Sequence, residues 1–89
     1  VEFYSPTCPT CRKMEGPVVS LAQQFKELIK ILKINREKFE TLLNQQEVNI
    51  LPAFILFKNG KEIGRKEGET TKEDLYKFVE DSCELKPRT

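Results

Sequence analysis

The chain has 89 residues, with 15 basic against 14 acidic side chains and a net charge of +1. That length suits one domain, residues 1–89, with one modest core, and the interspersed charge gives no sign of a nucleic-acid face or an anionic-membrane face. Apolar residues make up 38% and charged residues 33%, and no apolar run approaches the roughly 20 residues that span a bilayer, so the expectation is a soluble globular domain.

Val1 to Tyr4 is short, apolar and aromatic, which predicts a strand that opens the chain without an initiator methionine. A targeting segment ahead of it is therefore left open. Cys8-Pro9-Thr10-Cys11 follows almost at once, and a segment with helical periodicity follows that. A strand–turn–helix junction places Cys8 at a helix N-terminus, where unpaired N–H groups and the helix dipole favour an anion. The thiolate is the nucleophile of disulfide exchange, which makes Cys8 the candidate attacking sulfur. Cys11, one turn further on, is within reach of the mixed disulfide that Cys8 would form, and is the candidate resolving thiol.

Two other uses of the pair compete. A lone C-x-x-C serves as half of a zinc or iron site, but such sites generally need four ligands. With no histidine and one further cysteine, Cys83, the chain cannot complete one; only a metal shared between two chains would satisfy it. A structural staple is the other alternative, although small folds that depend on staples carry more pairs. The redox reading, in its strand–helix setting, is the stronger.

From Arg12 onward, Met14, Val18, Leu21, Ala22, Phe25 and Leu28 recur at helical spacing and predict one buried stripe. Pro17, after Gly16, removes a backbone donor and predicts a kink within that helix. Leu28 to Ile34 is rich in β-branched residues and predicts a second strand. Asn35 is then the expected N-cap of a helix from Arg36 to about Gln46, with Phe39, Leu42 and Leu43 facing inward. Ala53 to Phe57 is a continuous apolar run, as in a strand covered on both faces. Asn59-Gly60 signals a two-residue hairpin, and the polar run Lys61 to Glu67 predicts an edge strand. Thr70 to Leu85 is the last predicted helix, with Thr70 and Glu73 at capping-box spacing. Leu75, Phe78, Val79 and Ser82 or Cys83 continue its stripe, which makes Cys83 a small core residue. The tail Lys86 to Thr89 is expected to fray. The order is β-α-β-α-β-β-α: an α/β domain with a four-stranded mixed sheet, its first two strands parallel through a right-handed crossover, and helices on both faces.

That order, with Val1-Glu2-Phe3-Tyr4 before Cys8-Pro9-Thr10-Cys11, Ile50-Leu51-Pro52-Ala53-Phe54, Leu56-Phe57-Lys58-Asn59-Gly60-Lys61 and Glu67-Gly68, resembles the thioredoxin superfamily along nearly the whole chain. The resemblance is to thioredoxin more than to glutaredoxin, since no Gly-Gly pair precedes the last helix. It implies a thioredoxin-like fold, without the extra N-terminal strand and helix of full-length members. It implies that Cys8 is the nucleophile and Cys11 the resolving thiol, and that Pro52 is cis beside Cys8, leaving the backbone of Leu51 free to pair with a substrate strand. Gly68 then lies opposite the active site. Thr7, Pro9 and Thr10 stand where the family usually has tryptophan before the first cysteine and Gly-Pro between the two. Pro9 offers no N–H to a Cys8 thiolate, whereas Thr10 supplies a hydroxyl. Glu2 takes the position of the family's buried acid, and Lys33 that of the lysine partnering it. Strand alternation agrees for Glu2, which points away from the face of Val1 and Phe3 into a sheet covered by helices.

The expected activity is that of a thiol–disulfide oxidoreductase reducing protein disulfides, with no cofactor and no metal. A glutaredoxin-like or disulfide-forming enzyme, and a non-enzymatic binding or metal-sharing module, are the alternatives. The expected partners are protein disulfides and a recycling reductase, and the protein is expected to be a monomer. Three cysteines without a staple framework suit a reducing compartment, hence a cytoplasmic address.

Overall fold

The computed structural model describes residues 1–83. Its elements run β1 (Glu2–Tyr4), α1 (Pro9–Lys13), α2 (Glu15–Gln24), β2 (Lys33–Asn35), α3 (Glu40–Gln45), β3 (Ala53–Lys58), β4 (Lys61–Glu67) and α4 (Lys72–Ser82). The strands form one four-stranded sheet in the order β2-β1-β3-β4. β1 lies parallel to β2, with Glu2 opposite Lys33 and Tyr4 opposite Asn35. It lies antiparallel to β3, and β3 and β4 form the antiparallel hairpin. The expected mixed sheet is therefore present, with β4 at an edge.

The core divides along the two sheet faces, as strand alternation requires. On one face Met14, Val18, Leu21 and Phe25 meet Phe54, Leu75 and Val79, which joins α2 and α4 to the sheet. On the other, Phe3, Ala53 and Ile55 pack against Leu43 of α3. Asn59 and Gly60 turn the hairpin with φ of 54° and 79°, the left-handed pair that a tight primed turn needs. At Gly64 a Cβ would lie 2.9 Å from Ser82 Oγ and 3.2 Å from Phe78 Cε1, so glycine lets α4 sit directly on β4.

Several element boundaries differ from expectation, each for a local reason. The first helix starts at Pro9 with Cys8 as its N-cap, as the junction predicts, a position that proline suits because its missing N–H would be unpaired there. It breaks at Met14, not at Pro17. Pro17 has no N–H to give and its ring crowds the preceding turn, so it is accommodated in the first turn of a new helix. α2 ends at Gln24, and Leu28, expected on the stripe, is 66% exposed. β2 is only Lys33–Asn35 because its ladder partner β1 is itself three residues long. Asn35 ends β2 and its Oδ1 accepts from the N–H of Glu37, a turn that delays α3 to Glu40 and leaves Phe39 51% exposed. Leu43 is buried and Leu42 partly so, as expected. The last helix is capped by Thr71, whose hydroxyl accepts from the N–H of Asp74 at 3.0 Å, rather than by Thr70. The predicted end of that helix at Leu85 and the tail Lys86 to Thr89 lie outside the described residues.

Cys83 is half-buried and packs against the core cluster of α2 and α4. Burial pushes its thiol above the ordinary range, against the pull of the Lys58 charge. It should therefore label slowly with iodoacetamide at neutral pH, since thiolate is the reactive form. Cys83→Ala should cost about 1 kcal/mol in urea unfolding, as a small truncation does.

Candidate active site

The two sulfurs are placed by the junction of β1 and α1. The N–H of Cys8 donates to the Ser5 carbonyl at 3.1 Å, and the Cys8 carbonyl accepts from the N–H of Arg12 at 3.1 Å. Cys8 is the N-cap of α1, in extended conformation, and its Sγ accepts from the backbone N–H of Cys11 at 3.4 Å. The Thr10 hydroxyl lies 3.0 Å from the same sulfur. Burial works against a thiolate at Cys8, but the Cys11 thiol, the Thr10 hydroxyl and the backbone N–H groups outweigh it and lower its pKa. Hydrogen bonding to the charged form is the cause.

Cys11 is its opposite. It is 3% exposed, and its pKa is pushed up to about 11, by burial first and then by Cys8 and the charge of Glu2. One sulfur is thus poised to be a thiolate, and the one behind it is held as a thiol.

Facing them is the turn before β3. The Leu51–Pro52 peptide is cis, and the Thr10 hydroxyl donates to the Leu51 carbonyl at 3.4 Å. The Gly68 N–H donates to the Pro52 carbonyl at 2.8 Å. Gly68 has φ of +89°, which favours glycine, and a Cβ there would lie 3.6 Å from Ile50 Cγ2. A groove of about 540 Å³ runs over this site, lined by Ser5, Cys8, Leu51, Arg36, Glu37 and Glu40. Cys8, Cys11, Thr10, Leu51, Pro52 and Gly68 are thus brought together. Thr7 and Pro9 are exposed at its margin and do not line the groove; the Thr7 hydroxyl is 3.0 Å from that of Ser5.

Glu2 is 2% exposed and its Oε1 has no hydrogen-bond partner. Burial raises its pKa to about 7, with Lys33 and the Val1 amino group opposing the rise and Glu15 adding to it. Lys33 opposes the rise through its charge, as expected, but makes no ion pair with Glu2. Its Nζ lies over the Tyr4 ring, 4.6 Å from the centroid, and Glu2 takes part in none of the ion pairs among the described residues. The Lys33 ammonium is exposed and stays hydrated over a ring, whereas a contact with Glu2 would require it to be dehydrated.

Sequence reasoning missed Arg36, Glu37 and Glu40 because it placed them in a helix. Continuing the β1–β2 register would have found the first of them, since the Arg36 N–H donates to the Tyr4 carbonyl at 2.8 Å and carries Arg36 to the mouth of the groove. Among the described residues, no group of three or more His, Cys, Asp or Glu side chains is placed to hold a metal, and no helix is long and apolar enough to cross a membrane.

A family model described as Thioredoxin matches residues 1–81. Thioredoxin Y1, chloroplastic, of Arabidopsis thaliana is 34% identical over 87 residues, covering 98% of this chain and 51% of its own. Thioredoxin 1 of a Nostoc strain is 29% identical over 80 residues, covering 90% of this chain and 75% of its own. Among solved structures, the germline-specific thioredoxin Deadhead of Drosophila melanogaster superposes with a TM-score of 0.85 at 28% identity, covering 90% of this chain and 75% of that one. The chain spans about half the length of the first curated relatives it matches. With the Leu51-Pro52 turn facing a C-x-x-C at the junction of β1 and α1, and a family model matching nearly all the described residues, the chain belongs to the thioredoxin family.

Proposed function

We propose that residues 1–89 act as one domain that reduces protein disulfides, with Cys8 as nucleophile and Cys11 as resolving thiol. The observation that carries this reading is the opposed protonation of the two sulfurs: Cys8 acidified, Cys11 held as a thiol behind it. In the first step the Cys8 thiolate attacks one sulfur of a substrate disulfide; a Cys8–substrate disulfide forms and the other substrate sulfur leaves as thiolate. In the second, Cys11 loses its proton to Glu2 and attacks Cys8 Sγ. The Cys8–Cys11 disulfide forms, the second substrate thiolate is released, and two electrons have passed to the substrate. The first step itself eases the second, because Cys8 no longer carries the charge that raises the Cys11 pKa.

Leu51, with the wall formed by Pro52 and Gly68, supplies backbone groups for an extended substrate segment, and Thr7, Pro9 and Thr10 border its path. Thr10 does more. Its hydroxyl is within reach of both Cys8 Sγ and the Leu51 carbonyl, and one proton cannot serve both. When Cys8 ionises, the proton turns to the thiolate and the Leu51 carbonyl is released for substrate. Thr10→Val should therefore raise the Cys8 pKa by about one unit, from one lost hydrogen bond to a charged group. The pH dependence of Cys8 alkylation measures it; an unchanged midpoint would remove Thr10 from this role.

The partners this chemistry requires are protein disulfides and a reductase that returns Cys8 and Cys11 to thiols, with the domain acting as a monomer. Three free cysteines support a reducing compartment; the cytoplasm is one, and relatives named chloroplastic point to a plastid as another. The test is insulin reduction driven by dithiothreitol, together with the potential of the Cys8–Cys11 couple. Turnover with a thioredoxin-like potential is the expected result. A strongly oxidising potential would reverse the direction, and no turnover would leave a binding module.

A further inference from the structure

We propose that Tyr4 is a positioning residue, whose ring holds the Lys33 ammonium off the Glu2 carboxyl and so keeps that carboxyl unpaired and able to accept the Cys11 proton. This rests on the reading of Glu2 as that acceptor. Glu2 and Tyr4 are two residues apart on β1 and share a sheet face. Lys33 stands directly opposite Glu2 in the parallel register and projects on the same face. Its flexible stem therefore has two destinations, the carboxyl beside it or the ring one pleat along, and it takes the ring at 4.6 Å. A cation over an aromatic face gains about as much as in an exposed ion pair while it keeps its water, whereas the buried carboxyl would have to offset the dehydration of the ammonium, so the ring tips the contest. The buried Glu2 Oε1 is left without a partner.

The consequence is chemical. A carboxylate paired with an ammonium is a weaker base, because the charge that stabilises the anion must be overcome on protonation. Glu2 has few other neighbours to set its behaviour. Glu15 on α2 and the Val1 amino group act on it through their charge, and Cys11 is the thiol it acts upon. Opposite it on β3 is Phe54, and α4 contributes Leu75 and Val79 to the hollow that Glu2 lines. Lys30, Lys58 and Cys83 are the remaining titratable groups along that hollow. Among the described residues Lys33 is the cation that the β2 register sets directly opposite the carboxyl, so the residue that occupies it governs the base.

The experiment is a carbon-13 titration of the Glu2 carboxyl, with the pH profile of mixed-disulfide decay measured alongside. In Tyr4→Leu the titration midpoint should fall by about one pH unit, a tenfold change in proton affinity, as Lys33 moves to the carboxylate. Tyr4→Phe keeps the ring and should keep the wild-type midpoint. In a Lys33→Met background, Tyr4→Leu should add no further shift. An unchanged midpoint in Tyr4→Leu, or the same fall with and without Lys33, would overturn the proposal; the latter would mean that the ring acts only by excluding water. Should Tyr4→Leu fail to fold, the wild type still decides: the Lys33 methylene protons should show an upfield ring-current shift, and its absence sinks the idea. If the midpoint falls while the decay profile stays in place, Tyr4 controls Glu2 but Glu2 does not take the Cys11 proton.

Discussion

Replacing Cys8 with serine should abolish turnover, and replacing Cys11 with serine should leave the first attack intact while trapping substrate as a stable mixed disulfide. The asymmetry follows from protonation. A thiol with a pKa of about 11 is ionised in about one molecule in 10⁴ at pH 7, so Cys11 cannot take over the first attack when Cys8 is lost. Loss of Cys8 would relieve part of that elevation, but burial is its largest cause and remains. Cys11 is also 3% exposed, out of reach of a protein disulfide. In Cys11→Ser the Cys8 thiolate keeps the Thr10 hydroxyl and the backbone N–H of residue 11 as donors and loses the thiol. Attack therefore continues at a modestly reduced rate, while a serine hydroxyl cannot displace the substrate sulfur. Non-reducing electrophoresis of Cys11→Ser with insulin should show the adduct, and Cys8→Ser should show none. Mapping of iodoacetamide labelling in the reduced protein at pH 7 supplies the independent check. Labelling of Cys11 ahead of Cys8 would reverse the assignment.

The features that could be read from the sequence are those set by short-range chemistry or by strict alternation. Asn59-Gly60 specifies its own turn, and Glu2 is buried because the residues on either side of it must face the other helix layer. Cys8 and Cys11 need only a strand before them and a helix after them, and both are present. What was not legible depends on a distant partner. Leu28 to Ile34 has strand-forming residues throughout, yet only Lys33 and Ile34 of that run enter β2, joined by Asn35, because β1 offers three residues to pair with. Asn35 is a good N-cap by type, but its carboxamide is used in a turn that keeps Arg36 bonded to Tyr4 and brings it to the groove. Lys33 lies beside Glu2 and opposes the rise of its pKa as expected, while the last few bonds of its side chain carry the ammonium to the ring. Register fixes a Cα; where a flexible ammonium goes is a contest of nearly equal contacts, and here an aromatic ring won it.

Glu2→Gln should remove a pH dependence of stability and slow the second chemical step. The carboxyl has a pKa of about 7 in the fold against 4.5 as its ordinary value. Because the folded value is the higher, protonated Glu2 favours the fold, and that contribution is fully present below about pH 4.5. It declines as pH rises, while the unfolded chain ionises and the folded carboxyl does not, and it is gone above about pH 7. The gap of 7 − 4.5 = 2.5 units corresponds to about 3 kcal/mol, at 1.36 kcal/mol per unit. Glutamine cannot ionise, so the wild type should lose stability relative to Glu2→Gln across this window. The two should differ least near pH 4.5, and the variant should gain by about 1–3 kcal/mol by pH 8.5, less whatever its buried amide gives up in unmade hydrogen bonds. Urea unfolding at pH 4.5, 7 and 8.5 reads the difference directly. The kinetic effect comes from the same carboxyl. Without it the Cys11 proton has no acceptor in the core, and loss of a positioned base typically costs about 10²-fold or more. Decay of the mixed disulfide in a single turnover should slow by about that factor, while the first attack, which draws on the Cys8 thiolate and Thr10, is nearly unchanged. A variant whose stability follows the wild type at all three pH values, and whose mixed disulfide decays as fast, would make Glu2 a spectator in both roles.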